Sequence, residues 1–127
     1  MGKADIGLIG LGVMGSNLAL NIAEHGHKVA VFNRTASRIG AFFDNAGALQ
    51  PKVVPCRTLA ELAEAIRPPR PVIIMVPAGK PVDEQIAMLR EVLSAGDIVI
   101  DGGNANFHDT VRRTAELADS GLTFIGM

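Results

Sequence analysis

A glycine-rich segment near the start of the chain is the part of this sequence best suited to holding an anion. It reads Gly10-Leu11-Gly12-Val13-Met14-Gly15 and lies between an apolar run, 6–9, and a helical stripe. In a GxGxxG turn the first glycine permits a tight bend, the second lets a pyrophosphate approach the backbone, and the third lets helix and strand pack closely. The segment predicts a dinucleotide-binding loop. A glycine-rich turn without a ligand is the alternative, which the flanking strand and helix disfavour.

Basic and hydroxyl residues follow the second apolar run, where an NAD site usually has a carboxylate. That position, about 20 residues past the loop, normally holds an Asp or Glu that binds the ribose 2'-hydroxyl. Here the chain reads Phe32-Asn33-Arg34-Thr35, and Arg38 follows one turn later. Guanidinium, amide and hydroxyl groups suit a 2'-phosphate, so the sequence predicts NADP rather than NAD as the cofactor. The alternative is that Arg34 and Arg38 are solvated helix charges and Thr35 a simple N-cap.

Two polar loops follow the fourth and fifth apolar runs, at the edge where open α/β sheets bind ligands. After the fifth run the chain reads Asp101-Gly102-Gly103-Asn104, and the loop 77–80 reaches the same edge. Because an amide both donates and accepts hydrogen bonds, Asn104 is a candidate for contacting the nicotinamide-ribose end of the cofactor and a substrate hydroxyl together. The same four residues equally suit a plain turn.

Short apolar runs alternate with amphipathic stretches along the chain, which predicts a parallel sheet covered by helices on both faces. A capping box at Thr58 and Glu61 begins one helix, Pro81 suits a first helical position, and three glycines can end helices. These are Gly26, Gly96 and Gly121, and the expected strands are 6–9, 29–32, 53–54, 72–76, 98–100 and 122–125. We therefore expect one domain, 1–127, with a doubly wound, Rossmann-type α/β fold and strand order 3-2-1-4-5-6.

The composition excludes several classes of protein. Hydrophobic residues make up 48% of the chain and charged residues 20%, with a formal net charge of -1, which leaves no basic face for nucleic acid. No apolar run approaches the ~18 residues of a membrane span, so we expect a cytoplasmic protein. The single cysteine, Cys56, has no Cys or His at metal-ligand spacing and is interpreted as a buried or inert thiol, and no metal site is expected.

Several longer segments together resemble the amino-terminal NADP-binding domain of the 6-phosphogluconate dehydrogenase family along essentially the whole chain. The matching segments are Gly-Leu-Gly-Val-Met-Gly-Ser-Asn-Leu-Ala-Leu-Asn from Gly10, Phe-Asn-Arg-Thr from Phe32, Val-Asp from Val82, Gly-Asp-Ile-Val-Ile-Asp-Gly-Gly-Asn from Gly96, Asp109-Thr110 and Arg112-Arg113. The resemblance implies oxidation of 6-phosphogluconate at C3 with hydride transfer to NADP, then decarboxylation to ribulose 5-phosphate and CO2. This is a step of gluconate use and of the pentose phosphate pathway.

The resemblance also implies roles for particular residues. The loop from Gly10 to Gly15, with Leu11, Gly12 and Val13, would hold the pyrophosphate, and Met14 would lie near the nicotinamide. Asn33, Arg34 and Thr35 would hold the 2'-phosphate, Val76, Pro77 and Ala78 would line the cofactor, and Asn104 would touch cofactor and substrate. Pro77 departs from the family, which commonly has lysine there.

The chain stops at Met127, where the family continues into a substrate loop. The family's catalytic lysine and glutamate lie beyond that point, as does a helical domain that supplies substrate-phosphate ligands and dimer contacts. We therefore expect no catalytic residue in this chain and no turnover by it alone, and a homodimer for the complete enzyme.

Two other functions are also compatible with the sequence. A β-hydroxyacid dehydrogenase or imine reductase relative would share the glycine loop and often Asn-Arg-Thr, but the hydroxyisobutyrate type usually has Asp-x-Ser-Thr where this chain has Asp101-Gly102-Gly103-Asn104. A stand-alone NADP-binding module is the other, because a fold alone does not establish a reaction.

Overall fold

The computed structural model describes residues 3–76, 80–102, 107–118 and 121–126, with backbone alone for 107–111 and 126. Strands and helices alternate through these residues. The strands are β1 Ile6–Ile9, β2 Val29–Phe32, β3 Val53–Pro55, β4 Pro71–Ile74, β5 Ile98–Asp101 and β6 Thr123–Gly126. The helices are α1 Val13–Glu24, α2 Ala36–Asn45, α3 Leu59–Ala65, α4 Lys80–Val92 and α5 Phe107–Ala118, and a 3-10 helix spans Gly47–Lys52.

The described strands form one parallel sheet in the order β3-β2-β1-β4-β5-β6. This confirms the expected doubly wound fold. The chain runs outward from β1 to β3, then crosses back to place β4 on the other side of β1. Gly7 therefore pairs with Ala30 on one side and with Val72 on the other. The crossing point lies at the carboxyl end of β1, where the glycine-rich loop begins.

Both faces of the sheet are covered by apolar side chains, as continuous hydrophobic strands require. Successive residues of β1 point to opposite faces, so Leu8 and Ile9 belong to different clusters. Leu8 packs in the cluster that includes Ala19 of α1 and Phe42 of α2. Ile9 packs in the cluster that contains residues of α3, α4 and α5. The end of β1 therefore lies between two layers of helices.

Helix ends follow the expected signals at most positions. The Thr58 hydroxyl accepts a hydrogen bond from the Glu61 N–H at 3.1 Å, whereas the Glu61 carboxylate accepts from the backbone N–H of Arg57 rather than from that of Thr58. Gly26 ends α1 with φ +88°, and Gly121 follows α5 with φ +77°. The corresponding expectation for Gly96 was wrong. Gly96 lies beyond the end of α4, in a turn closed by a hydrogen bond from the Asp97 N–H to the Ser94 carbonyl. The Gly96 N–H donates to the carbonyl of Gly121.

The fourth strand is displaced from its expected position. It was expected to run from residue 72 to 76, but it ends at Ile74. Met75 still donates its N–H to the Ile9 carbonyl at 2.7 Å, and beyond it the chain leaves the sheet and lines a cavity. Among the described residues, no helix combines the length and apolar character that crossing a bilayer requires.

Candidate dinucleotide-binding site

The glycine-rich loop is held close to the sheet by its first and third glycines. Gly10 has φ +102°, and a Cβ there would overlap the Met75 carbonyl oxygen. A Cβ at Gly15 would overlap the carbonyl oxygen of Gly10, since the first turn of α1 packs directly on the loop. Side chains are therefore excluded at both positions by backbone atoms. This is the close packing of strand and helix that the sequence predicted.

The second glycine of the loop faces open space. A Cβ at Gly12 would meet no atom within 4 Å, and Gly12 has φ -72°, which any residue can adopt. Gly12 is also the N-cap residue of α1, and the first turn of that helix contains no acidic side chain. The first N–H groups of a helix lack intrahelical acceptors and carry partial positive charge. The loop thus leaves an uncrowded, electropositive surface beside Gly12 that suits a phosphate.

Asn33 joins the loop to the end of β2. Its Oδ1 accepts a hydrogen bond from the Leu11 N–H at 2.8 Å, and its Nδ2 donates to the Thr35 carbonyl at 3.1 Å. The residue that the sequence predicted as a phosphate ligand therefore already has both amide atoms engaged with backbone. In this structure its side chain fixes the loop against the residues that follow β2.

Two cations lie beside this loop. The guanidinium groups of Arg34 and Arg38 are exposed, and neither forms an ion pair with any residue that the structure describes. Thr35 precedes α2 at the N-cap position, but its side chain makes no capping hydrogen bond. Thr35 therefore occupies the N-cap position without using its hydroxyl as a cap. One hydroxyl and two guanidinium groups remain available to an anion.

A cavity of about 400 Å³ brings the loop and these residues together. Seven of the predicted site residues line it, namely Gly10, Gly12, Asn33, Arg34, Thr35, Arg38 and Val76, along with Ile9, Met75, Pro81 and Gln85. Its walls are the ends of β1 and β2, the segment after β4, and α4. This is the switch point of a doubly wound sheet, where such folds bind ligands.

The remaining predicted residues fall into two groups. Leu11 and Gly15 are buried, Val13 and Met14 are 81% and 71% exposed, and none of the four lines the cavity. Pro77, Ala78 and Asn104 lie outside the described residues. Their predicted contacts stay predictions.

Gln85 and Pro81 are site residues that sequence reasoning missed. They lie four residues apart on α4 and therefore on one face of that helix, and both line the cavity. Gln85 is 7% exposed. A glutamine buried within an otherwise apolar helix face was the available signal.

An ion network, buried at Arg113 and Asp101 but partly exposed at Asp83 and Arg112, connects α4 with α5. Arg113 is fully buried, its Nε lies 2.8 Å from Asp83 Oδ1, and its Nη1 lies 3.6 Å from Asp101 Oδ2. Arg112 also contacts Asp83, at 3.2 Å. The family resemblance includes Val82-Asp83 and Arg112-Arg113 as separate segments, and in the structure Asp83 contacts both arginines. The network joins α4 and α5 to the end of β5.

The network predicts acid-sensitive stability. The hydrogen bond from Arg113, and then that from Arg112, hold the pKa of Asp83 below its usual 3.8 against the opposing effect of burial. A lowered folded-state pKa stabilises the protein above about pH 4, and this contribution is lost as pH falls through the folded-state value. We expect Asp83→Asn to lower the free energy of unfolding by about 1–2 kcal/mol at pH 7, since the carboxylate is partly exposed. Urea unfolding should show a smaller difference in the free energy of unfolding between variant and parent at pH 3 than at pH 7.

Glu84→Gln is the matched control because it removes the same charge from the neighbouring, exposed position. It should leave stability nearly unchanged at both pH values. An equal loss for Asp83→Asn at pH 7 and pH 3 would contradict an electrostatic role for this network.

Cys56 has the inert character expected of it. It is 2% exposed, and burial raises the pKa of its thiol to about 11. Little thiolate is therefore present at neutral pH, which disfavours a nucleophilic role.

Comparison with known families decides what kind of domain carries this cavity. The profile described as the NAD binding domain of 6-phosphogluconate dehydrogenase matches residues 5–127. The chain belongs to this family. Decarboxylating 6-phosphogluconate dehydrogenases are similar along nearly its whole length: the enzyme of Aggregatibacter actinomycetemcomitans is 48% identical over 98% of the chain, and that of Homo sapiens 46% identical over 99%.

The chain spans about a quarter of the length of these relatives, 25% and 26% respectively. The solved Plasmodium falciparum 6-phosphogluconate dehydrogenase, studied as apo form and with NADP+ and 6-phosphogluconate, superimposes with a TM-score of 0.87. It is 39% identical, and the match covers 94% of this chain and 26% of that one. Mycobacterium tuberculosis 3-hydroxyisobutyrate dehydrogenase, at 24% identity and TM-score 0.77 over 98% of this chain and 40% of that one, shares the fold.

Proposed function

We propose that this chain is the NADP-binding domain of a 6-phosphogluconate dehydrogenase, which oxidatively decarboxylates 6-phosphogluconate to ribulose 5-phosphate and CO2. The observation that carries the cofactor assignment is one cavity that joins an open glycine loop to two guanidinium groups without ion-pair partners among the described residues. Family membership and 45–48% identity to enzymes of that name support the reaction.

The cavity offers separate places for the pyrophosphate and for the 2'-phosphate of NADP. The pyrophosphate would lie on the open backbone at Gly12, against the N-terminus of α1. The 2'-phosphate would lie between Arg34, Thr35 and Arg38 at the end of β2. A unit charge pair at 4 Å contributes about 4 kcal/mol at an effective dielectric constant near 20, and exposure of the arginines reduces this value. Even the reduced attraction favours NADP over NAD.

Bound NADP would supply the hydride acceptor, and the described chain would supply its orientation. The described residues that line the cavity include no carboxylate, lysine or imidazole that could move a proton. We assign proton transfer and most substrate binding to parts of the enzyme outside this cavity. Within the chain, Met14, Val76, Pro77, Ala78 and Asn104 are proposed to contact the cofactor, Asn104 also to contact the substrate, and the complete enzyme to act as a homodimer.

The hydroxyacid dehydrogenase and imine reductase alternative rests on the shared fold. The solved imine reductase from a Pseudomonas species is 21% identical to this chain, about half the identity of the 6-phosphogluconate dehydrogenases. The higher identity favours the phosphogluconate branch.

Arg34→Ala tests the cofactor assignment. We expect the parent chain to bind NADP more tightly than NAD, and the variant to lose about 10- to 100-fold in NADP affinity but less than threefold in NAD affinity, because NAD lacks the 2'-phosphate. Both cofactors are titrated by calorimetry at one fixed salt concentration, since exposed charges are screened.

Arg57→Ala is the matched control, because it removes an exposed arginine that does not line the cavity. It should leave both affinities unchanged. A parent chain without preference for NADP, or an equal loss of both cofactors in Arg34→Ala, would refute the assignment.

A further inference from the structure

Gln85 carries a buried polar atom without a partner at the wall of the cofactor cavity. Its side chain is 7% exposed, and its Oε1 makes no hydrogen bond with any residue that the structure describes. A buried amide left unbonded lowers stability, so such groups are uncommon and call for an explanation. Asn33, the other amide side chain of the cavity, has both of its polar atoms bonded to backbone. Among the described cavity amides, Gln85 alone has an oxygen with no hydrogen-bond partner, and because that oxygen is shielded from solvent, the side chain must rotate to present it to a ligand.

The position of Gln85 limits what that ligand group can be. Arg34 and Arg38 line the cavity beyond the end of β2, the glycine loop lines it beyond the end of β1, and Gln85 lines it from α4. If the 2'-phosphate lies at the two arginines and the pyrophosphate at the glycine loop, the part of the adenosine half left to face α4 is the base. An amide oxygen, which repels anions, also disfavours a phosphate at this wall.

We propose that Gln85 hydrogen-bonds the edge of the adenine base and thereby selects the base of the cofactor. The proposal rests on the proposed function, since it assumes that the cavity holds NADP. Adenine presents an amino donor next to a ring-nitrogen acceptor, and a glutamine amide is the complementary acceptor and donor pair. Met75, Val76 and Pro81 supply apolar surface around the same space, which suits a flat aromatic ring.

Gln85→Met tests the assignment by two separate measurements, the affinity for NADP and the thermal stability of the ligand-free chain. Methionine keeps the size and shape of the side chain but removes both polar atoms. We expect the dissociation constant for NADP to rise about five- to tenfold, the effect of one or two hydrogen bonds in a desolvated site. The Tm of the ligand-free chain should stay the same or rise, because the variant no longer buries an unbonded oxygen. Gln50→Met, outside the cavity, should leave NADP affinity unchanged.

A cofactor with a modified base distinguishes the loss of a hydrogen bond to Gln85 from a steric effect at the base. In the 1,N6-etheno derivative of NADP, bridging carbons remove the N6–H donors and block N1, while the phosphates are unchanged. For each protein, discrimination is the factor by which the derivative binds more weakly than NADP. We expect this factor to be about five- to tenfold larger for the parent chain than for Gln85→Met. The bulk of the added ring affects both proteins alike, so that difference isolates the amide.

The outcomes distinguish the two proposals. NADP binding by the parent chain, with unchanged affinity in Gln85→Met or equal discrimination against the etheno derivative in both proteins, overturns the role of Gln85 alone. Failure of the parent chain to bind NADP overturns the proposed function as well. A weaker NADP complex together with an unchanged or higher Tm supports the assignment.

Discussion

Gly12→Val is expected to abolish NADP binding while the domain stays folded. The second glycine of the loop has φ -72° and open space where a Cβ would lie, so valine meets no atom of the protein within 4 Å of its first carbon. The same space is where a pyrophosphate must approach the backbone, and two methyl groups would occupy it. We expect the affinity to fall at least ~100-fold, and stability to fall by no more than about 1 kcal/mol because valine is a poor N-cap residue.

The measurement pairs calorimetric titration of NADP with thermal unfolding followed by circular dichroism. Gly40→Val is the matched control, since a Cβ at Gly40 in α2 would also meet no atom within 4 Å and Gly40 does not line the cavity. The control should bind NADP like the parent. NADP affinity retained in Gly12→Val would show that the loop does not hold the pyrophosphate.

Such a separation of binding from folding reflects how the loop is built. Gly12 meets only open space, whereas Gly10 and Gly15 meet backbone. The spacing of glycines, together with the apolar run before them and the helical stripe after them, was enough to predict this arrangement. Local chain geometry determines it, and local geometry can be read from neighbouring residues.

The strand order was predictable for a related reason. Alternating strands and helices with right-handed crossovers leave few arrangements of six parallel strands, and the glycine loop after β1 favours one of them. The end of β4 was less predictable, because the apolar run continues through Met75 and Val76 while ladder pairing with β5 stops at Ile74. The periodicity of the sequence does not distinguish an apolar residue in a strand from one that lines a cavity.

The contacts between distant residues were beyond sequence reasoning. Asn33 bonds to the N–H of Leu11, 22 residues away, and this pairing depends on the register of β1 and β2. Arg113, a charged residue of α5, is fully buried against Asp83, 30 residues away. A long charged side chain is buried only when a partner is present, and the partner becomes visible only in the folded chain.

These cases explain why the candidate site was predicted in outline but not in detail. The sequence indicated which loops meet at the edge of the sheet. Residues from three of them, the segments after β1, β2 and β4, line the cavity. It did not indicate that the Asn33 side chain would hydrogen-bond to the backbone of the glycine loop, nor that Gln85 of α4 would line the cavity. Both depend on side chains meeting across elements that are far apart in the chain.

Gly15→Ala is expected to damage the fold itself, in contrast to the change at Gly12. The added methyl group would overlap the carbonyl oxygen of Gly10 and lie 3.0 Å from its carbonyl carbon. These are backbone atoms, which no rotamer change can move. Either α1 must shift away from β1 or the loop must change shape, and both changes disturb the cluster that contains Leu8 and Ala19.

We expect a loss of about 2–4 kcal/mol in the free energy of unfolding, which is large against the ~5–15 kcal/mol total of a typical domain. NADP affinity should fall as well, because the displaced loop no longer presents its N–H groups. Urea unfolding measures the first effect, and Gly40→Ala is its control: alanine at that open helical position should leave stability unchanged or raise it by up to about 1 kcal/mol. If Gly15→Ala unfolded at the same urea concentration as the parent, the close approach of α1 to the loop would not be needed for stability, and the third glycine would require a different explanation.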